Sequence, residues 1–220
     1  MSKLKIFNEK IYNKCLNLKN KELLSSPNLV SSKKFLNSIK EKPILYLGQE
    51  TNCWVNNKVD NPTLDEIENS YDNFLIDNGV NNKSAFWQFI KSATGIDYRD
   101  LYKNIVWSNT ILVGRRYTSG APEIDKDLFN LSLENLLFLY DYFKPSAVIF
   151  ANGNSNSYRN ITNKFLTEIG SILYDEYPTN ENLLLIDEDK NIFWTFHPRG
   201  LKYKKGKLQE TTEKIYRKLK

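Results

Sequence analysis

Short apolar runs that alternate with segments of helical periodicity are the feature that most constrains the fold of this 220-residue chain. The first run, 44–47, lies between Pro43 and Gly48, which is typical of a buried parallel strand that ends in a loop. Similar runs follow at 105–108, 147–150 and 192–196, and a less regular strand or pair of strands is expected at 171–174 and 182–187.

The segments between these runs place apolar residues three or four positions apart, as amphipathic helices do. The clearest begins at Asp127 and ends at Phe143, just before Pro145, and helices commonly end before a proline. Alternating strands and helices predict an α/β fold of three layers, α/β/α, around a central, mostly parallel sheet of four or slightly more strands. The other predicted helices cover 3–20, 31–40, 63–77, 84–90, 156–168 and 207–219.

One domain spanning 1–220 is expected, with 1–42 as an N-terminal helical segment packed on it. The 40% apolar content of 220 residues can fill one full-sized core, and no Pro/Gly/Ser-rich linker divides the chain. No apolar stretch approaches the roughly 18 to 20 residues of a membrane helix, and the first residues lack the apolar region of a signal peptide. We therefore expect a cytoplasmic protein that does not associate with membranes, and we separately expect it to be a monomer.

The two cysteines, Cys15 and Cys53, are far apart in the chain. Such spacing predicts neither a disulfide framework nor a zinc site, and an iron–sulfur cluster needs about four thiolates. We expect chemistry that needs no metal and no cofactor.

The net charge of +5 is distributed unevenly along the chain. Residues 1–42 and 199–220 each carry a net charge of +7, which leaves −9 on residues 43–198. Basic ends around an acidic body are typical of a phosphate-binding rim, because each neutralised phosphate releases counterions. Lysine-rich helix faces that are simply solvated would give the same pattern, so the charge leaves both interpretations open.

Four polar segments follow four of the predicted strands, at the edge of a parallel sheet where ligands bind. They are Gly48–Asn52, Ser108–Asn109, Asn152–Asn154 and His197–Leu201. In order and character they resemble the loops of the uracil-DNA glycosylase superfamily. Its members carry a Gly-Gln-Asp-Pro-Tyr type loop after the first strand, an Asn after the second, a Trp-Gly turn after the third and a His-Pro-Ser-Pro-Leu loop after the last. The resemblance covers about residues 44 to 205.

The resemblance implies a DNA glycosylase that flips a pyrimidine out of single- or double-stranded DNA and leaves an abasic site. Breaking the N-glycosidic bond leaves positive charge on the sugar and negative charge on the base. Glu50 stands where the family's water-activating acid lies, and His197 matches the histidine that donates a hydrogen bond to the departing base. No lysine in the four loops proper is an obvious Schiff-base former, so a monofunctional enzyme is expected, although Lys202 is near.

The resemblance also implies residues that hold the base and the DNA. Asn109 aligns with the asparagine that recognises the flipped base, Gln49 and Asn52 belong to the facing loop, and Trp54 is the candidate for stacking, with Phe86 or Trp87 as substitutes. Leu201 matches the apolar wedge that enters the duplex, and we expect it to be exposed. The expected phosphate contacts are Ser84, Gly153, Asn154, Arg199, Gly200, Lys202 and Lys204.

Three residues depart from the family pattern. Glu50 replaces an aspartate, Thr51 replaces the loop proline, and Asn52 replaces the tyrosine that excludes bases with a 5-substituent. A smaller polar residue at 52 leaves room for such a group, so the substrate is expected to be uracil or a 5-modified pyrimidine, such as hydroxymethylated or glycosylated cytosine in phage DNA. Some superfamily members act in antiviral defence in that way.

Two other functions remain open from the sequence. One is a DNA- or base-binding module on the same scaffold that does not cleave, which fits the departures at Glu50 and Thr51. The other is a hydrolase of free nucleosides or nucleotides, which needs neither a wedge nor a basic rim.

Overall fold

A five-stranded sheet forms the centre of the structure. Its strands are β1 (Ile44–Gly48), β2 (Ile105–Asn109), β3 (Ala147–Phe150), β4 (Leu183–Asp187) and β5 (Ile192–Thr195). Their order in the sheet is β2-β1-β3-β5-β4. In this computed structural model the described residues are 1–50, 55, 61–77, 80, 83–118, 120–171 and 181–220. The pairs β1–β2, β1–β3 and β3–β5 are parallel, so the predicted α/β class and mostly parallel sheet are confirmed.

The edge strand β4 is antiparallel to β5. Only residues 188–191 connect the two strands, and a connection this short permits a hairpin, whereas a parallel crossover needs a dozen or more residues. The strand expected at 182–187 is present as β4. Residues 172–180, which include most of the strand expected at 171–174, lie outside the described residues.

Most of the predicted helices are present within a few residues of their expected ends. Two short helices, Leu101–Asn104 and Pro198–Lys202, have no counterpart among the predicted helices. The second begins at Pro198, and proline is favoured in the first turn because its nitrogen needs no hydrogen-bond partner there. The helices are α1 (Lys3–Cys15), α2 (Lys34–Ser38), α3 (Leu64–Asp72), α4 (Ala85–Thr94), α5 (Leu101–Asn104), α6 (Lys126–Phe143), α7 (Asn156–Glu168), α8 (Pro198–Lys202) and α9 (Lys207–Leu219). Shorter helical turns cover Lys21–Leu23, Asn73–Asp77 and Tyr98–Asp100.

The two faces of the sheet pack against different helices. On one face Tyr46 stacks on Phe86 of α4, with ring centroids 4.3 Å apart. On the other face Phe150 meets Phe165 of α7 edge-on at 5.6 Å, and Asn135 of α6 donates a hydrogen bond to Ser108. Tyr46 and Phe150 are one residue apart in the register of β1 and β3, and neighbouring positions of a strand point to opposite faces. The two rings therefore lie on opposite faces of the sheet, and each contacts one of the two helical layers.

The N-terminal helix α1 packs against α6. The rings of Phe7 and Phe138 stack at 3.7 Å, and Phe7 belongs to the same buried apolar cluster as the sheet. Lys10 and Lys14 both form ion pairs with Glu134. Part of the N-terminal positive charge is therefore paired within the fold.

Among the described residues, no helix combines the length and the apolar character that crossing a membrane would require.

Candidate active site

A cleft of about 360 Å³ opens at the carboxyl edge of the parallel strands. Residues from three of the four polar segments and from α4 line it. The fourth segment, Asn152–Asn154, contacts one of these residues, Gln49. The described lining consists of Gly48, Gln49, Glu50, Phe86, Trp107, Asn109, Gly120, His197 and Arg199.

Gly48 allows β1, β2 and α4 to approach one another closely at the floor of this cleft. A Cβ atom at position 48 would lie 2.6 Å from Oδ1 of Asn109 and 3.2 Å from the ring of Phe86. The backbone of the loop is fixed as well, because Thr110 N–H donates to the Gly48 carbonyl at 3.0 Å and Ile111 N–H to the Gln49 carbonyl at 3.0 Å. Position 48 therefore requires glycine for steric reasons, and Asn109, 3% exposed, is held against it.

Gln49 links the loop after β1 to the turn after β3. Its side-chain Nε2 donates to the carbonyl of Asn152 at 3.0 Å. The next residue, Gly153, adopts a φ of 75°, which is accessible to glycine at little strain, and its carbonyl accepts a hydrogen bond from Trp194 Nε1 at 3.1 Å. Gln49, expected to contact the base, thus donates one of its amide protons to the protein backbone.

The side chain of Asn152 is fully buried beneath this turn. Its Nδ2 donates to the hydroxyls of Thr110 and Thr162 at 2.9 and 3.1 Å. The Thr110 hydroxyl in turn donates to the Gly48 carbonyl at 2.8 Å. Hydrogen bonds therefore run continuously from α7 through the turn after β3 to the loop that carries Glu50, while the buried Oδ1 of Asn152 accepts no hydrogen bond within the described residues.

Glu50 lies at the cleft with one carboxylate oxygen occupied. The hydroxyl of Tyr158, on the first turn of α7, donates a hydrogen bond to Oε2 of Glu50. Tyr158 is only 5% exposed, and its burial, together with the neighbouring carboxylate, raises the pKa of its hydroxyl far above the ordinary value. The raised pKa favours the protonated hydroxyl, which donates to Glu50.

His197 is the N-cap of α8, and its Nδ1 accepts a hydrogen bond from the Arg199 N–H at 3.3 Å. Burial, with a smaller contribution from the Arg199 charge, lowers the pKa of His197 from 6.5 to about 4. The imidazole is thus neutral at physiological pH. Because Nδ1 is the acceptor, the proton resides on Nε2, which is then a hydrogen-bond donor.

Phe86 supplies a flat apolar surface in the cleft. Its ring stacks on the buried Tyr46 and lies 6.0 Å from the ring of His197, at an angle of 21°. The Tyr46 hydroxyl donates to the Phe86 carbonyl at 2.9 Å, so both the ring and the backbone of Phe86 are anchored. Trp87, the expected substitute, is 4% exposed and faces the core.

Leu201 does not have the exposure that a wedge needs, so that prediction is wrong. The residue is 0% exposed, because α8 turns its side chain into the core cluster. The nearest exposed aromatic side chain along the chain is Tyr203, the C-cap of α8, with 78% of its surface accessible.

The expected phosphate-binding residues differ in position. Arg199 lines the cleft, whereas Ser84, at the N-cap of α4, and Gly153, buried in its turn, do not. Asn154, Gly200, Lys202 and Lys204 are exposed outside it. In the described part of the chain, ion pairs engage Lys207, Lys214 and Lys218 but none of Arg199, Lys202, Lys204 and Lys205.

Thr51, Asn52 and Trp54 lie outside the described residues. The predicted contacts of Asn52 and Trp54 with the base therefore stay predictions.

Tyr158, Trp107 and Gly120 are site residues that the sequence did not indicate. One feature of the sequence could have indicated that Tyr158 lies near the site. It is in the first turn of the helix that directly follows the Asn152–Asn154 segment, and that turn must begin near the same edge of the sheet. For Trp107 the sequence pattern predicts only a place in a strand. Gly120 comes from the long loop after β2, whose path has no sequence signature.

The described residues contain no cluster of three or more histidine, cysteine, aspartate or glutamate side chains placed to hold a metal ion. In comparisons with known proteins, no family model matches this chain and no curated protein matches it at a significant level.

Proposed function

We propose that this protein is a monofunctional DNA glycosylase, which flips a pyrimidine base out of DNA and hydrolyses its N-glycosidic bond to leave an abasic site. The observation that carries the proposal is that Glu50 and a neutral His197 meet in one cleft. A carboxylate and a neutral hydrogen-bond donor are the two groups that the reaction requires on opposite sides of the bond that breaks.

Each group has a defined part in the reaction. Glu50 orients a water molecule whose oxygen bonds to C1′ of the sugar as the C1′–N bond breaks, and it takes the proton that the water releases. The electron pair of the broken bond leaves with the base. His197 stabilises the resulting negative charge through a hydrogen bond from Nε2–H to a base oxygen, which a neutral imidazole donates without transferring the proton.

Asn109 and Phe86 hold the flipped base. Asn109 is nearly buried and fixed against Gly48, so its amide presents a donor or an acceptor to the Watson–Crick edge of a pyrimidine without further ordering. Phe86, anchored on Tyr46, offers an aromatic face for stacking, an interaction worth about 1 to 3 kcal/mol per base.

The DNA strand lies along the exposed residues that follow His197. Arg199, Lys202 and Lys204 supply positive charge next to the cleft without an internal ion-pair partner among the described residues. We assign the side chain that fills the vacated base position to Tyr203 in place of Leu201, since Tyr203 is exposed and Leu201 is not. Replacement of Tyr203 by Ala should slow excision from duplex DNA more than from single strands, and equal effects on both would contradict the assignment.

The substrate base is uracil or a 5-modified cytosine or uracil. Asn52, where the uracil-specific family members carry a tyrosine, is the residue that supports the second class, and a role in defence against phages with modified DNA would follow from it.

The test is a base-excision assay on oligonucleotides that contain uracil, hydroxymethylcytosine or glucosylated hydroxymethylcytosine, followed by alkaline cleavage at abasic sites. Strand breaks at any of these bases, absent with Glu50→Gln, support the proposal. Breaks only at uracil would exclude the modified-base substrates. Binding of these DNAs without excision would instead identify a binding module, and equal turnover of free nucleosides and DNA would identify a nucleoside hydrolase.

A further inference from the structure

Tyr158 does not line the cleft itself but contacts Glu50, which does. The helix of Tyr158, α7, packs on the sheet face of Phe150, whereas His197 lies beside Phe86 on the other face. Tyr158 is buried, and its hydroxyl donates to Glu50 Oε2. Within the described part of the chain, the other oxygen, Oε1, accepts no hydrogen bond, so the two oxygens of one carboxylate have different surroundings.

We infer that Tyr158 is a positioning residue that holds Oε2 of Glu50 and so leaves Oε1 as the oxygen that orients the attacking water. The inference rests on the proposed glycosylase function and deepens it. A carboxylate that rotates freely presents either oxygen in many directions, whereas one held through Oε2 presents Oε1 in a single direction, and a misplacement of about 1 Å can lower the rate of a reaction roughly 100-fold.

The anchor is itself rigid. Tyr158 lies in the first turn of α7, and the same helix contributes Thr162, whose hydroxyl accepts a hydrogen bond from the buried Asn152. Asn152 in turn accepts the hydrogen bond from Gln49, the neighbour of Glu50. Helix α7 therefore holds the Glu50 loop at two points. One is the neighbouring residue Gln49, which is linked to α7 through Asn152, and the other is the Glu50 carboxylate, which is bound by Tyr158.

This arrangement explains why glutamate serves at position 50. Its side chain is longer than that of aspartate by one C–C bond, about 1.5 Å, and the added length brings the carboxylate to the Tyr158 hydroxyl. With aspartate at position 50 the carboxylate would be withdrawn from that hydroxyl, so in this chain an aspartate should work less well, although it is the residue of the similar family.

A double-mutant cycle on excision tests the inference, with kcat and KM measured for the wild type, Tyr158→Phe, Glu50→Asp and the double variant on the best substrate of the excision panel. We expect each single change to lower kcat about 10- to 100-fold with KM within about twofold. The double variant should be little worse than Glu50→Asp alone, because a withdrawn carboxylate no longer uses the hydroxyl.

The control is Tyr140→Phe, which removes a hydroxyl from another tyrosine whose ring contacts α7, and it should leave kcat unchanged. Losses that multiply in the double variant, or a wild-type kcat for Tyr158→Phe, would overturn the inference and leave the glycosylase function standing. If Tyr158→Phe unfolds, Glu50→Asp decides alone, and a wild-type kcat for it overturns the inference. A wild-type protein that excises no base overturns both.

Discussion

The two sides of the cleft are built in different ways. The buried side, which comprises Gly48–Glu50, Asn109–Thr110, Asn152–Gly153 and Tyr158, is connected by hydrogen bonds from β1 to α7. The exposed side, residues 197–205, presents cations and Tyr203 to solvent, although Leu201 within it is buried. Within the described residues its histidine is held by one hydrogen bond, of 3.3 Å, to the backbone.

This difference separates two tasks. Groups that do chemistry must be held in a fixed geometry before the substrate arrives, and the buried side provides that for Glu50 and Asn109. Groups that contact a nucleic acid backbone act through charge and tolerate movement. His197 is the exception. It lies in the segment of the exposed side, but its neutral imidazole takes part in the proposed chemistry.

The substitution His197→Asn should have a larger effect on excision than any other change proposed on the exposed side of the cleft. Asparagine is a good N-cap and can accept the Arg199 N–H in place of Nδ1, but it has no donor at the position of Nε2. We expect kcat to fall about 100- to 1,000-fold, the loss typical of one oxyanion donor, with the denaturation midpoint little changed. A kcat within threefold of the wild type would remove His197 from the chemistry.

The stability of the protein should depend on pH through the same residue. The pKa of His197 is lowered from 6.5 to about 4 on folding, so between these values the unfolded chain binds the proton and the folded one does not. The free energy of unfolding therefore does not depend on His197 titration above about pH 6.5. As the pH falls from there toward 4, it decreases by roughly 3 kcal/mol, at about 1.36 kcal/mol per pKa unit. Urea unfolding across this range checks the slope, and His197→Asn should remove this pH dependence.

Gly48→Ala should disturb the buried side. The added Cβ meets Asn109 Oδ1 at 2.6 Å and the Phe86 ring at 3.2 Å, so neighbouring side chains must move, at a cost of about 1 to 3 kcal/mol in the free energy of unfolding. The control on the exposed side is Gly200→Ala, where nothing lies within 4 Å of the added atom. Urea denaturation should show a loss for position 48 only, and equal losses at both positions would contradict the contrast.

Replacement of both Lys202 and Lys204 by Ala should have the smallest effect on the fold, within about 0.5 kcal/mol. DNA affinity should weaken, and the slope of log K against log salt should become shallower by up to about 2, since each phosphate contact contributes roughly 0.9. The control is the removal of Lys10 and Lys14, which are paired with Glu134 and should not change the slope. An unchanged slope for the first pair would place the DNA elsewhere.

Periodicity was sufficient to predict the layers of the fold and the edge at which the polar segments meet, because burial imposes the apolar runs at 44–47 and 147–150 directly on the sequence. It could not predict the state of Leu201, since α8 is a single turn of helix whose orientation depends on packing against α4 and α9. Nor could it identify the contact of Tyr158 with Glu50, because 108 residues separate the two and only the tertiary fold brings them together.

The most direct test of the proposed chemistry is mass spectrometry of oligonucleotides after incubation with the wild type and with Glu50→Gln. Hydrolysis predicts that the wild type releases a free base and leaves DNA in which a hydroxyl group replaces that base, while Glu50→Gln binds the same DNA with similar affinity and releases none. Equal release of base by both proteins, or DNA of unchanged mass with every base tested, would contradict the assignment of Glu50 and His197 as the groups that break the N-glycosidic bond.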